Sequence, residues 1–566
     1  MRVCTYNTYD TANASDGEPV KIVKIYLKYP MNYTNCWKIN PCIKRWRENK
    51  PYLRMLKHCF GTEAKSRAET KKKWRSVVGL EIHAQIQSNS KLFSGSSTMY
   101  GSPINSNVSF FDCATPGTLP VLNKRCVEAG ILTALALSCK VNEVSLFDRK
   151  HYFYADLPAG YQITQQRQAL AIDGELNFQV YTPGIHPRPY SKVSKIKQLQ
   201  LEQDSGKSLH DLIAKRSLVD LNRAGIPLME LVFEPDLSDG EEAAALVKEI
   251  VLILKRLGTC SCKMEEGALR VDANISVNRP GEKLGTRTEV KNIGSIRSVA
   301  AAVKFEIDRQ ITEIENGGTI INETRSWDTE IRKTVPMRDK EEKQDYRFMP
   351  EPNLPPLHVH VTKEIKNKYG LVDVPLLQES LPELPEETRY NLKNNFGLDS
   401  TAAIILTNEN NLLNIFEAVV KEDSKRKPKL VSNILINQLL TVVNRKALEL
   451  DTCILNAQHI GELVDMLQNK TINLTTAENV LEEYITESSM TPKQIVEKNN
   501  WTQITDEHQL TQICKNILLQ RADVVKKYKA GKTKVFRALV GAVAQETKNR
   551  ADMATVVNIL KKLLDE

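Results

Sequence analysis

No stretch of this 566-residue chain is apolar for the roughly 18 residues that a membrane-spanning helix needs. The richest stretches, near Ala129 to Val141 and Val431 to Val443, are broken by polar residues, which argues against a membrane-spanning role. Paired cysteines are also missing. Of 11 cysteines only Cys260 and Cys262 lie close, one residue too tight for a zinc knuckle, and no four-cysteine set exists, so reduced structural thiols are expected. Three familiar catalytic motifs are absent as well: the P-loop, HExxH and GxSxG. DSGKS (Asp204 to Ser208) contains Gly-Lys-Ser, but a P-loop needs glycine where Leu201 stands, and AGKTK fails likewise at Lys526. Any nucleotide site must be of another type.

Net charge is confined to one end. Met1 to Lys73 carries 16 Lys and Arg against 6 Asp and Glu, leaving 62 against 63 in the rest of a chain whose total is +9. The body is thus close to neutral, and composition alone gives no reason to expect RNA. Cys42 to Lys73 holds Lys44, Arg45, Arg47, Arg54, Lys57, Arg67 and Lys71 to Lys73 with few acids, the make-up of a mitochondrial presequence. Asp10, Asp16 and Glu18 are foreign to such a peptide. Either translation starts at Met31 or Met55, or the segment is a basic arm that touches RNA.

What is present divides by pattern. From Trp74 to about Thr362, short alternating runs (VVGLEIHAQI, ALRVDANISV) mix with helical stretches, which predicts an α+β region on antiparallel strands. Helices are expected over Glu241 to Leu257, capped by Ser238 or Asp239 and closed at Gly258, and over Ser295 to Asn316. The prolines of MPEPNLPPL favour extended backbone and mark a domain exit. From about Glu364 the chain reads as nearly all helical, with Leu and Ile at i, i+3 and i+4 in Lys429 to Val443 and Ile460 to Leu467. The expected divisions are a leader over 1–73, a sheet domain over 74–363, a helical domain over 364–498 and a small helical tail over 499–566.

Within WRSVVGLEIHAQIQSNSKL (Trp74 to Leu92), Glu81 and His83 stand two apart in an apparent strand and so share a face, which offers an acid and an imidazole together to a divalent metal. Further on come LEQDSGK (Leu201 to Lys207), VDLNRAGIPLMELVFEPDL (Val219 to Leu237), EEGALRVDANISV (Glu265 to Val277), GTRTEVKN (Gly285 to Asn292) and DYRFMPEPNLPPL (Asp345 to Leu357). With GLEIH, these motifs resemble those of the B subunits of tRNA-dependent glutamyl amidotransferases, in the same order and at similar spacing from Trp74 to the C-terminus.

The resemblance implies a function: conversion of glutamate esterified to tRNA(Gln) into glutamine, in the mitochondrial matrix, using ATP and Mg2+. It implies an antiparallel catalytic cradle, a tRNA-gripping tail, an A subunit that supplies ammonia as a glutaminase, and a C subunit that straps the two together. A carboxylate is a poor electrophile, so phosphorylation must make its oxygen a leaving group. That step asks for acids around magnesium and cations on the phosphates. By resemblance Glu81 and His83 match the acid and histidine of the metal site, and Glu202 lies in a motif that usually reads LEEDAGK in bacteria. Here the second acid is Gln203, so either Glu202 ligates or Gln203 does so through its carbonyl. Asp272 is the next candidate, ahead of Asp204. Arg270, Arg287 and Lys291 either face phosphates or the glutamyl carboxylate, or pair with Glu289 and Asp272; Arg347 either joins them or anchors the domain exit. Asn222 and Arg223 are read as shaping a turn. Lys526, Lys527, Lys529, Lys532 and Lys534 either solvate a surface or contact tRNA phosphates. The rival reading is a non-catalytic tRNA-binding scaffold, with Gln203 as its support.

Overall fold

The computed structural model describes residues 73–211, 213–337, 346–450, 455–486, 490–531 and 533–565. The leader, and with it the targeting reading, falls on 1–72 and lies outside the described residues, as does Lys532.

The alternating run RSVVGLEIHAQ forms the central strand, Arg75–Gln85, of a nine-stranded sheet. From one edge the strands are Lys333–Pro336, Thr324–Asp328, Thr288–Lys291, Leu269–Asn278, Arg75–Gln85, Pro227–Phe233, Tyr190–Gln203, Ala171–Val180 and Lys140–Val141. Pairing is antiparallel except between Thr288–Lys291 and Thr324–Asp328, which run parallel. One face of the central strand sends Leu80, Ile82 and Ala84 into a core with Leu246, Ile250 and Leu254 of the helix Gly240–Leu257 and Val299 and Val303 of the helix Ile296–Glu315. The other face carries the polar alternates, Glu81 and His83 among them.

Both helices keep the ends that their sequences call for. Asp239 accepts from the Glu241 and Glu242 amides, Gly258 closes the first helix at φ 63°, and Ser295 caps the second through the Ser298 amide. The first helix opens on Gly240 because any Cβ there would lie 2.2 Å from the Ala300 carbonyl oxygen of the second.

The proline cluster is extended at its two ends but turns at 352–354 between them, and the strands around it return to the cradle instead of leaving it. Arg347–Pro350 pairs with Asp148–His151, and Leu357–His360 with Val144–Ser145. The first hydrophobic cluster accordingly runs on to Val374, with Leu377, Leu381 and Leu384 packed against it. Beyond it lies helical structure with two further clusters, from Leu392 to Val496 and from Leu510 to Leu564. The Lys429 to Val443 expectation is met by helix Pro428–Asn433, a π-helical turn Ile434–Leu439 and helix Leu440–Arg445 in succession. An ion pair joins the first region to the second: Arg389 Nη2 lies 2.6 Å from Glu249 Oε1, both side chains buried.

Candidate active site

Strand register builds the site. His83 is the pairing partner of Glu230 on one side and of Arg270 on the other, and Glu230 is in turn the partner of Gln200. Paired residues share a face, so Arg270, His83, Glu230 and Gln200 make one row across four strands. Glu202, two residues beyond Gln200, falls on the same face. The outcome is a group in which one ligand atom each from His83, Glu202 and Glu230 lies within 4.8 Å of the others.

Charge in this group is poorly balanced. His83 Nε2 stands 3.7 Å from Glu230 Oε1, and Gln200 Nε2 donates to Glu230 Oε2 at 2.6 Å. Glu202 Oε2 is buried and has no hydrogen-bond partner among the described residues. Burial, and after it the Glu202 charge, push the Glu230 carboxyl up to about 8. Burial and the positive charges of Arg270, Lys150 and Lys291 bring His83 down to about 3, so its imidazole is neutral with a lone pair to offer. Two crowded carboxylates, one orphaned oxygen and a neutral imidazole are the donor set a divalent cation would satisfy.

A second acidic group adjoins it. Glu81 pairs in register with Asp272 and accepts from Asn274 Nδ2 at 2.9 Å. Lys291 Nζ lies 3.2 Å from Asp272 Oδ2 and 3.3 Å from Glu289 Oε1. Burial raises both Glu81 and Asp272. Burial alone would lower the Lys291 ammonium, yet Asp272 and Glu289 together hold it above its usual range.

His83, Glu202, Asp272, Arg270 and Lys291 all line one cavity of about 420 Å³ together with Lys150, Tyr152, Asp204 and Tyr346. Lys150 is half-buried against the acids, and Glu202 and Glu230 more than offset that desolvation and raise its ammonium. Asp204, buried, is gripped by Arg223 at 2.6 Å and Arg270 at 3.1 Å, and these cations hold its carboxyl below the usual range despite burial. Arg223 therefore forms an ion pair besides its place in a turn. Asn222 ties that segment to a distant loop, its side chain donating to the Pro103 carbonyl at 2.6 Å.

Other candidates are placed elsewhere. Gln203 is next to Glu202 in an extended strand, so its side chain takes the opposite side and lines a separate cavity of about 320 Å³ with Phe111, Pro158 and Gly225. It does not join the ligand group. Arg287 is exposed just ahead of the strand Thr288–Lys291 and is outside the residues lining the cavity. Arg347 is exposed and is tied to His151 through its backbone carbonyl. Glu230, Lys150, Tyr152 and Tyr346 are the residues that sequence reasoning passed over. Glu230 had a signal, a lone acid in the apolar strand PLMELVF. In the tail, Lys526 and Lys529 are exposed on the helix Ala522–Lys529, and Lys534 is exposed in the following turn. The cysteines among the described residues are free, and the Cys262 amide donates to Cys260 Sγ at 3.2 Å.

Residues 76–365 match the GatB/GatE catalytic domain family, and residues 414–564 match the GatB domain family. The chain is 54% identical over 522 residues to the B subunit of the mitochondrial glutamyl-tRNA(Gln) amidotransferase of Aedes aegypti, covering 92% of this chain and 99% of that protein. With the human protein of the same description it is 49% identical over 495 residues, 87% of this chain and 89% of that one. The B subunit of the aspartyl/glutamyl-tRNA(Asn/Gln) amidotransferase of Rickettsia typhi is 43% identical over 493 residues, 87% of this chain and 98% of the relative.

Proposed function

The chain belongs to the GatB family of tRNA-dependent amidotransferase subunits, and on that premise we propose that it is the ATP- and Mg2+-dependent kinase and transamidase subunit of a mitochondrial assembly. Its substrate is glutamyl-tRNA(Gln), its product glutaminyl-tRNA(Gln). Its partners are a glutaminase A subunit and a C subunit, and its site of action is the matrix, to which the basic leader directs it. In this reading, residues 74–363 form the cradle, 364–498 the helical domain, and 499–566 the tail whose Lys526, Lys529, Lys532 and Lys534 meet tRNA phosphates.

The carrying observation is the orphaned, buried Glu202 Oε2 beside His83 and Glu230. A magnesium ion held by those three residues would neutralise charge on the transferring phosphate. The chain's own groups do the rest. Neutral His83 offers its lone pair inward. Lys150, Arg270 and Lys291 give the cavity positive charge where phosphate oxygens and the glutamyl carboxylate must meet, with Asp272 and Glu289 setting the position of Lys291. The glutamyl oxygen attacks the terminal phosphorus and ADP departs. Ammonia then displaces phosphate, leaving the amide. A low-dielectric pocket makes these oriented charges more effective than they would be in water.

The test uses the assembled complex with glutamyl-tRNA, ATP, magnesium and ammonium chloride, which removes any need for glutaminase. Wild type should form glutaminyl-tRNA, and a His83→Ala, Glu202→Gln version should not. Equal activity in both, with tRNA binding intact, would replace the kinase reading with the scaffold.

A further inference from the structure

One wall of the cavity is left unused by the transfer chemistry. Tyr152 and Tyr346 line it beside Lys150 and Glu202. Their rings meet edge to face with centroids 5.6 Å apart at 78°, and Tyr154 braces Tyr152 at 5.4 Å and 70°. The Lys150 ammonium stands 4.9 Å from the centre of the Tyr346 ring, yet Tyr346 stays 41% exposed. Two perpendicular rings form a corner in which a planar base can stack on one ring and meet the edge of the other. Other rings are exposed too, Phe153 and Tyr369 at 87% each, but Tyr346 differs from them in lining the charged cavity. This one presents much of its surface to a charged cavity whose volume suits a nucleoside. Burial, followed by the charges of Glu202 and Asp204, raises the Tyr152 hydroxyl above its ordinary range, so it remains a hydrogen-bond donor at neutral pH.

We propose that Tyr152 and Tyr346 form a stacking site for adenine in the transfer cavity. The inference rests on the amidotransferase reading, which brings two adenines here: that of ATP, and that of the 3′-terminal nucleotide whose ribose carries the glutamyl ester. Both present the same purine face, and the Lys150 ammonium beside Tyr346 makes the ring part of a cation, ring and base stack.

The experiment uses the assembled complex carrying the full chain as wild type, Tyr346→Ala, Tyr346→Phe and Tyr152→Leu. Equilibrium titrations are run with a non-hydrolysable ATP analogue, and with deacylated tRNA ending either in CCA or in CC. Stacking one base on an aromatic ring predicts that Tyr346→Ala weakens one of these ligands roughly 5- to 150-fold, while Tyr346→Phe stays close to wild type. Weaker binding of the ATP analogue alone assigns the corner to the nucleotide. Loss of the preference for CCA over CC assigns it to the tRNA end. Tyr152→Leu supplies the same readings from the second ring should Tyr346→Ala fail to assemble. Binding within about twofold of wild type in both ring-removing variants overturns the proposal, as does equal weakening in Tyr346→Ala and Tyr346→Phe, which assigns the effect to the hydroxyl and not to the ring. These titrations involve no turnover, so a complex inactive in the ammonium assay would sink the functional reading without touching them.

Discussion

Glu230→Gln separates the two consequences of crowding carboxylates at this site, stability and metal binding. In the metal-free protein the Glu230 carboxyl titrates near 8 instead of its ordinary 4.5, because burial and then Glu202 disfavour its charge. Between those values the folded state holds a proton that the unfolded state has released, so its contribution to stability falls as pH rises and levels off above about 8. Integrating that linkage gives a loss of about 2–3 kcal/mol between pH 6 and pH 9. Glutamine carries no such proton and can still accept from Gln200 Nε2 through its carbonyl. The assay is denaturant unfolding of wild type and variant in chelator at both pH values, followed by fluorescence. Wild type should lose about 2–3 kcal/mol more than the variant on going to pH 9, other titrations cancelling in the difference. Magnesium should then reverse the ranking, stabilising wild type by its mass-action contribution and leaving the variant unchanged. Parallel pH dependences in the two proteins would refute the assignment of the buried charge to Glu230, and equal stabilisation by magnesium would remove it from the ligand group.

Three further outcomes are expected. Gln203→Glu, which restores the acid usual in bacterial relatives, should leave magnesium-induced stabilisation unaltered, whereas Glu202→Gln abolishes it; thermal unfolding with and without magnesium compares them. Gly240→Ala drives a methyl group into the Ala300 carbonyl and should cost about 1–3 kcal/mol in chemical denaturation, with no change if the helices separate freely. Replacing Lys526, Lys529 and Lys534 together with alanine should weaken tRNA binding and flatten its dependence on log salt by roughly 0.7–0.9 per lost phosphate contact; an unchanged slope would return these lysines to mere solvation.

Much of the cradle was legible because its signals are local. The two-residue spacing of Glu81 and His83 fixes their common face, and the caps at Asp239 and Gly258 fix both ends of one helix. Glu230 was hidden because it meets His83 only through strand register, a long-range property, and its own neighbourhood reads as an ordinary apolar strand. Gln203 stood as the alternative to Glu202 for the opposite reason. Adjacency in a motif suggested a shared role, but alternation along a strand sends neighbours to opposite sides. The prolines of MPEPNLPPL announced extended backbone, which holds in the flanking strands but not in the turn at 352–354, and nothing in them revealed pairing with Asp148–His151. Lys150 enters through that same pairing and Tyr152 just after it, so both went unnoticed together.

The buried pair of Glu249 and Arg389 bears on how this protein could be recombined. Glu249 belongs to a helix that roofs the sheet, while Arg389 sits on the helix Pro385–Asn394 that leads into the next core. A chimera joined near residue 364, where the composition shifts, would inherit one charge from each parent and could strand either inside a dry contact. Removing one partner of such a buried pair costs about 3–5 kcal/mol. The natural seam for exchange therefore lies beyond Arg389, and the roofing helix and its cation should be passed on as one unit.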